Sequence, residues 1–194
     1  MNILHEIKTS VIVTLVMLVV CCFLYPLVIF GVGQALFPRQ ANGSLVMGAD
    51  GKPIASILLG QTFSAAKYFN PRPSAAGTGY DSTSSGGSNY GATSQALHDA
   101  VQQRIADYRK ANNLPDTQPL PADAVEASGS GLDPHISVKN ALLQLPRVAK
   151  ARDMSEDDLK KLVDQYTDGR DFGVLGDPGV NIIKLNLALD GKYK

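Results

Sequence analysis

A single N-terminal transmembrane helix followed by one soluble α+β (mixed α/β) domain is the fold class this sequence predicts. Three observations carry it. Val11 to Val32 is an uncharged apolar run, long enough as a helix, at about 33 Å, to cross the hydrocarbon core of a bilayer. Nothing after Arg39 repeats such a run. The remainder mixes helix-period and strand-period apolar patterns, separated by cap and turn residues. The expected division is a short stub over residues 1–9, the membrane helix over 10–37 and the soluble domain over 38–194.

The N-terminal run reads as an anchor that stays in place. A cleaved signal peptide wants a basic leader, an apolar core of about 7–15 residues and a small-residue cleavage site. Here Lys8 is offset by Glu6, the run is too long, and Val20 before Cys21 does not suit a lipoprotein site. Orientation is left open by charge, because Lys8 and the N-terminus nearly balance Arg39 and Lys52. At about 100° per residue, Ser10, Thr14, Cys21 and Tyr25 share a wedge about 60° wide. Such a stripe suits a partner helix; the alternative is that the hydroxyls bond back to their own helix. Pro26 cannot donate to the Cys22 carbonyl, which predicts a kink.

Elsewhere composition constrains little. Eighteen basic and eighteen acidic residues balance, so neither nucleic acid nor an acidic membrane surface is implied as a partner. Both cysteines, Cys21 and Cys22, lie in the membrane run, leaving the soluble part without a disulfide framework. Roughly 155 residues beyond the anchor suffice for one domain with a real core.

Leu45 to Met47 is a short apolar patch among turn residues, and Ile54 to Leu59 is a buried-strand candidate closed by Gly60. Tyr68 to Ser74 resists regular structure because Pro71 and Pro73 remove donors. Gly77 to Gly91 is rich in Gly, Ser and Thr; Tyr80 and Tyr90 within it argue for a packed loop rather than a flexible linker. Thr93 or Ser94 caps a helix to about Lys110, with Leu97, Val101, Ile105 and Tyr108 on one face. Pro121 to Ala127 is a short-helix candidate. Ser137 caps the next helix, whose expected buried side is Ala141, Leu142, Leu145, Val148 and Ala149, with a kink near Leu142 from Pro146. Ser155 caps another, which buries Leu159, Leu162, Val163 and Tyr166, with Glu156, Asp157 and Asp158 at its positive end. After the turn at Gly176 to Gly179, alternation of Ile183, Leu185, Leu187 and Leu189 with Lys184, Asn186 and Asp190 predicts a strand.

No reaction centre emerges from these residues. Ser130, Asp133 and His135 have the letters of a hydrolase triad, but they sit on one loop and no Gly-x-Ser-x-Gly turn is present. His5, His98 and His135 lack metal-ligand spacing, and no phosphate-binding Gly-rich loop ends in Lys. Ser128 to Ser137 reads instead as a shaped loop that delivers a helix. Asp133 is placed to accept bonds from the amides of His135 and Ile136. Its exposed side, with Asp133 and His135, is the candidate partner surface; the alternative is a loop that serves only the fold.

Taken in order, several motifs carry a resemblance. They are Leu59-Gly60-Gln61-x-Phe63, Tyr68-Phe69-x-x-Arg72-Pro73-Ser74, Ser85-Gly86-Gly87-Ser88-Asn89, Ser128 to Ser137, Arg147-Val148-Ala149 and Gly176-x-Pro178-x-Val180-Asn181. Together they closely resemble the C subunit of the bacterial Kdp potassium-transporting ATPase, over essentially the whole chain. The resemblance implies a non-catalytic accessory subunit of an ATP-driven potassium importer in the inner membrane. Its partners would be a channel-like subunit that carries the ion and a P-type ATPase subunit that is phosphorylated. ATP and K⁺ would then act at the level of the complex, with no cofactor assigned to this chain. The family is also credited with raising ATP affinity, and its soluble part is placed in the periplasm, with the N-terminus cytoplasmic. Direct contact with ATP would require an inward-facing domain. The other function class is a free-standing, membrane-tethered periplasmic binding or hydrolase domain.

Overall fold

A computed structural model describes residues 3–193, in two compact units divided between Leu45 and Val46. The first unit is dominated by a continuous 34-residue helix, Ile3–Leu36, long and apolar enough to cross a membrane. It comprises α1 (Ile3–Val19), a π-helical turn (Val20–Leu24) and α2 (Tyr25–Leu36). The first residues assigned to the stub, from Ile3, are thus already helical. The π turn answers the Pro26 problem: the wider i→i+5 register, seen in Tyr25 N–H donating to Val20 O, makes room where Pro26 supplies no donor. It also retards the helical phase by roughly one residue's rotation. Ser10 and Thr14 precede that shift, Cys21 lies within it and Tyr25 follows it. A short helix, α3 (Pro38–Ala41), then turns the chain, and Asn42 Nδ2 donates to Gln34 Oε1 at 3.1 Å.

The Leu45–Met47 patch, which begins at the boundary between the units, proves to be a strand, β1, paired with β2 (Pro53–Ser56). The β2 strand stops short of the expected Leu59. Residues 57–94 then contain neither helix nor strand, yet Phe69 and Ala76 within them are fully buried. A structureless stretch of this length is uncommon inside a compact domain; side chains from the helices hold this one, as described below. In the Gly77–Gly91 loop Tyr80 is packed, whereas Tyr90 is exposed.

Helix α4 (Gln95–Asn112) ends at Asn113, whose left-handed backbone lets Leu114 N–H return to Arg109 O. Its Leu97, Val101, Ile105 and Tyr108 face is half-buried. A 3₁₀ turn, Ala122–Ala124, lies where the short helix was expected. Strand β3 (His135–Ser137) leads directly into α5 (Val138–Arg152), capped by Ser137 Oγ accepting from Asn140 N–H at 3.1 Å. The α5 helix runs through Pro146 without interruption. Pro146, Leu142 and Lys150 share its solvent side, where water can reach the unpaired carbonyl. Leu142 is therefore exposed, not buried as the apolar pattern predicts; Asn140 and Gln144 occupy the inward side with Ala141, Leu145, Val148 and Ala149.

Helix α6 (Glu156–Gln165) begins at the expected Ser155 cap and buries Leu159, Val163 and the following Tyr166. Strands β4 (Thr167–Asp168) and β5 (Gly179–Asn181) join β3 in an antiparallel sheet of order β3-β5-β4, with Ile136 opposite Val180 and Thr167 opposite the same residue. The strand predicted from Ile183 to Leu189 is instead α7 (Ile182–Leu189). Asn181 is the reason: its Oδ1 accepts from Ile183 and Lys184 N–H, starting a helix. Ile182, Ile183, Leu185, Asn186 and Leu187 are all buried, so α7 is enclosed on most sides and its apolar alternation is not a strand face.

The buried polar residues clamp the irregular segment. Asn186 of α7 accepts from Phe69 N–H and donates to Phe69 O, both at 2.9 Å. Gln144 of α5 does the same for Asn70, at 2.7 and 3.1 Å. Removing Asn186 by Asn186→Ala strands two buried backbone groups and should cost about 2–4 kcal/mol of stability. Ser155→Ala, which loses one exposed cap, should cost about 1 kcal/mol. Urea unfolding of the full chain in detergent, followed by tyrosine near-ultraviolet circular dichroism, separates the two; equal midpoints would contradict the clamp.

Candidate functional site

The loop 128–134 is where the irregular segment meets the sheet, and each of its bonds has a local cause. Gly60 N–H donates to Leu132 O at 2.7 Å, and Gly86 N–H donates to Ser130 O at 2.9 Å. Ser74 Oγ donates to Gly131 O and accepts from Tyr80 and Ala76 N–H. Tyr80 hydroxyl donates to Arg72 O at 2.5 Å, and burial pushes its pKa well up. Two glycines are sterically required. A Cβ on Gly60 would lie 2.5 Å from the Tyr80 ring and 2.8 Å from Asp133 O. Gly131 has φ +66°, and a Cβ there would meet Ala76 N and Gly86 O at 2.7 Å.

Asp133 organises the exposed edge of this assembly. Its Oδ1 accepts from His135 N–H at 2.9 Å, half of the expected turn, and its Oδ2 pairs with Arg72 Nη1 at 3.0 Å. The Ile136 residue belongs instead to the sheet, opposite Val180. Nδ1 of His135 lies 3.6 Å from Asp133 Oδ1, and Nε2 lies 3.0 Å from Asp168 Oδ2. Lys184 Nζ completes the row, 3.0 Å from Asp168 Oδ1. The Asp133 carboxylate pushes the His135 pKa up, burial works against it, and Asp168 adds to the rise. Burial also disfavours the charged forms of Asp133 and Asp168. His135 with Arg72, and His135 with Lys184, outweigh it and hold both carboxyls below their usual range.

This is a row of alternating charges, and among the described residues no hydrogen bond links Ser130 to His135. Ser130 Oγ accepts from Leu132 N–H at 3.1 Å, and His135 is engaged by two carboxylates. An open cleft of about 720 Å³ adjoins it, lined by Asp133, His135, Asp168, Arg170, Asp171 and Asp177 among others. Among the described residues no group of three or more His, Cys, Asp or Glu could hold a metal ion.

The candidate residues thus fall into two sets. Asp133 and His135 are brought together at the cleft; Ser10, Thr14, Cys21 and Tyr25 lie in the apolar helix of the other unit, all exposed. Sequence reading missed Asp168, which reaches His135 because β3 and β4 both pair with β5, and Lys184, which follows β5 on α7 and reaches Asp168. Arg72 was visible only as a motif letter. A second cluster was equally hidden: Arg147 donates to Ala66 O, Tyr68 O, Asn70 Oδ1, Gln144 Oε1 and Asn112 Oδ1, at 2.6–3.0 Å.

Comparison with known proteins places these features in context. Residues 7–191 match the family model KdpC, described as the K⁺-transporting ATPase, c chain. A Mycobacterium tuberculosis protein named Potassium-transporting ATPase KdpC subunit is 53% identical over 176 residues, 91% of this chain and 93% of its own length. Proteins of the same name from Geobacter metallireducens and Koribacter versatilis are each 46% identical. The first match spans 96% of this chain and 98% of the relative, the second 94% and 93%.

The cluster carries a pH signature. An unfolded histidine titrates near about 6.5, so the raised folded value makes its contribution complete below that pH and lost as pH rises through the folded value. The lowered carboxyls contribute fully above about 3.9 and lose this as pH falls through their folded values. All three therefore act together between about pH 4 and 6.5. Melting temperatures of the full chain at pH 6 and pH 8.5 should fall with rising pH, and His135→Gln should flatten that fall. Parallel profiles would remove His135 from the account.

Proposed function

The chain belongs to the KdpC family, the c chain of K⁺-transporting ATPases, and on that premise we propose that it is the accessory and assembly subunit of an ATP-driven potassium importer. Its partners in this reading are a channel-like, potassium-translocating subunit and a P-type ATPase subunit. The observation that carries the reading is the convergence of the motifs on one scaffold. Gly60, Arg72, Ser74, Gly86, Asp133 and Asn181 bond to one another's loops, to neighbouring main chain or to the adjoining sheet, so their chemistry maintains a shaped surface. That use of the polar groups supports the reading of a non-catalytic subunit.

Within the complex, Ser10, Thr14, Cys21 and Tyr25 are proposed to face a partner helix, in two offset pairs because the π turn intervenes. Asp133 and His135, at the edge of the cleft, are proposed as part of the soluble contact. The N-terminus is cytoplasmic in this reading and the soluble domain periplasmic, within a single-pass inner-membrane protein. An effect on ATP affinity would then act through the partner's conformation, because ATP is on the other side of the membrane.

Two measurements test this. Alkaline phosphatase fused to the C-terminus should be active; an inactive fusion, with a cytoplasmic fluorescent reporter active in its place, would reverse the topology. In mild detergent the chain should bring down a multi-spanning subunit and a P-type ATPase. Thr14→Leu with Cys21→Phe should reduce that yield, whereas Cys22→Leu should change it little. Membrane hydrogen bonds average only about 0.6 kcal/mol, so the loss would come from overpacking. Equal yields would reduce the helix to a tether.

A further inference from the structure

We propose that the loop between β4 and β5, residues 169–178, is the arm by which the soluble domain docks on a partner subunit. Its tip, Phe172, Val174 and Leu175, would enter an apolar socket rimmed by basic side chains. This rests on the reading that the chain assembles with other subunits, and adds to it the surface and the chemistry of what it meets.

The tip is the least buried apolar group of the soluble domain. Phe172 is 95% exposed, Val174 71% and Leu175 59%. A soluble domain gains nothing by holding three such side chains together in water, whereas aromatic and aliphatic anchors dominate binding at interfaces. The tip is also shaped before any partner arrives. Asp171 and Leu175 exchange both backbone hydrogen bonds at 2.9 Å, and Gly173 N–H donates to Arg170 O. Phe172 and Gly173 both take positive φ, +53° and +77°. At the base, Asp168 is held by His135 and Lys184, and Arg170 by Asp177 at 2.9 Å.

Charge selects the occupant. On the arm and at its base the carboxylates are more exposed than the cations that pair with them: the Asp177 and Asp168 side chains are 90% and 50% exposed, those of Arg170 and Lys184 48% and 19%. With Asp171 and Asp133 these carboxylates give the cleft an acidic lining. An anionic bilayer surface repels such an arm. A protein surface with Lys or Arg around an apolar socket complements it. The arm therefore meets protein, not lipid.

The test uses the full chain with Cys21→Ser, which keeps a small polar side chain on the proposed partner-facing stripe, and Cys22→Ala, carrying Phe172→Cys labelled with a polarity-sensitive bimane dye. One sample is the chain alone in nanodiscs of phosphatidylethanolamine and phosphatidylglycerol; the other is the complex with its partner subunits in the same lipid. The emission should shift to the blue only in the complex. A shift in the chain alone would assign the arm to lipid, and no shift in the complex would leave it in water; either overturns the proposal. Independently, unlabelled Phe172→Asp with Leu175→Asp should lower partner yield on the order of tenfold, and an unchanged yield would overturn it. If the unsubstituted chain brings down no partners, the assembly reading itself falls, and the docking arm with it.

Discussion

The soluble domain depends on two side-chain amides that take the place of neighbouring strands. Phe69 and Asn70 lie in a stretch with no sheet partner, yet Phe69 is fully buried. Buried peptide groups without partners would cost about 1–3 kcal/mol each. Asn186 from α7 satisfies both groups of Phe69, and Gln144 from α5 satisfies both groups of Asn70. Successive residues of an extended chain point their backbone groups to opposite sides, so one helix can serve each side. Arg147 fastens the flanks by donating to Ala66 O, Tyr68 O and the Asn70 side chain.

That clamp sets the position of everything downstream on the segment. Two residues after Asn70, Arg72 reaches Asp133; four after it, Ser74 receives the Tyr80 turn and donates to Gly131 O. The 128–134 loop is thereby fixed from its open side, while Ile182 N–H donating to Pro134 O and the β3–β5 pairing fix it from the sheet side. A second polar chain supports α5 at its start: Asp123 accepts from Ser137 N–H, Ser137 Oγ and Asn140 Nδ2, and Tyr108 hydroxyl donates to Asn140 Oδ1. Polar groups inside this domain therefore specify where loops go, and the apolar core of α5, α6, α7 and β5 supplies the platform.

Much of this platform was legible in the sequence, and the rest was not for identifiable reasons. The apolar N-terminal helix follows from its unbroken run, and the Ser137 and Ser155 caps and the α6 face follow from local rules, because each signal lies within one turn of the element it starts. Alternation from Ile183 to Leu189 misled because period-2 counting ignores Asn181, whose capping oxygen decides the backbone. Leu142 misled in the opposite way: the inward face of α5 is partly polar, and Asn140 and Gln144 look like surface residues until their partners are known. The contact between Asp133 and His135 could be read from their own loop. The one with Asp168 could not, since nothing within 30 residues of His135 announces it. Wide regular periodicity reports a helix or strand, but it cannot report a carboxamide standing in for a strand.

Hydrogen exchange at the Phe69 and Asn70 amides of the full chain tests the clamp most directly. Both should exchange as slowly as the Asn181 amide, which donates to Tyr166 O at 3.0 Å. Gln144→Ala should then speed Asn70 more than Phe69, and Asn186→Ala should reverse that order. Exchange of both amides at the rate of an open loop in the unsubstituted chain, or no difference between the two variants, would contradict the account.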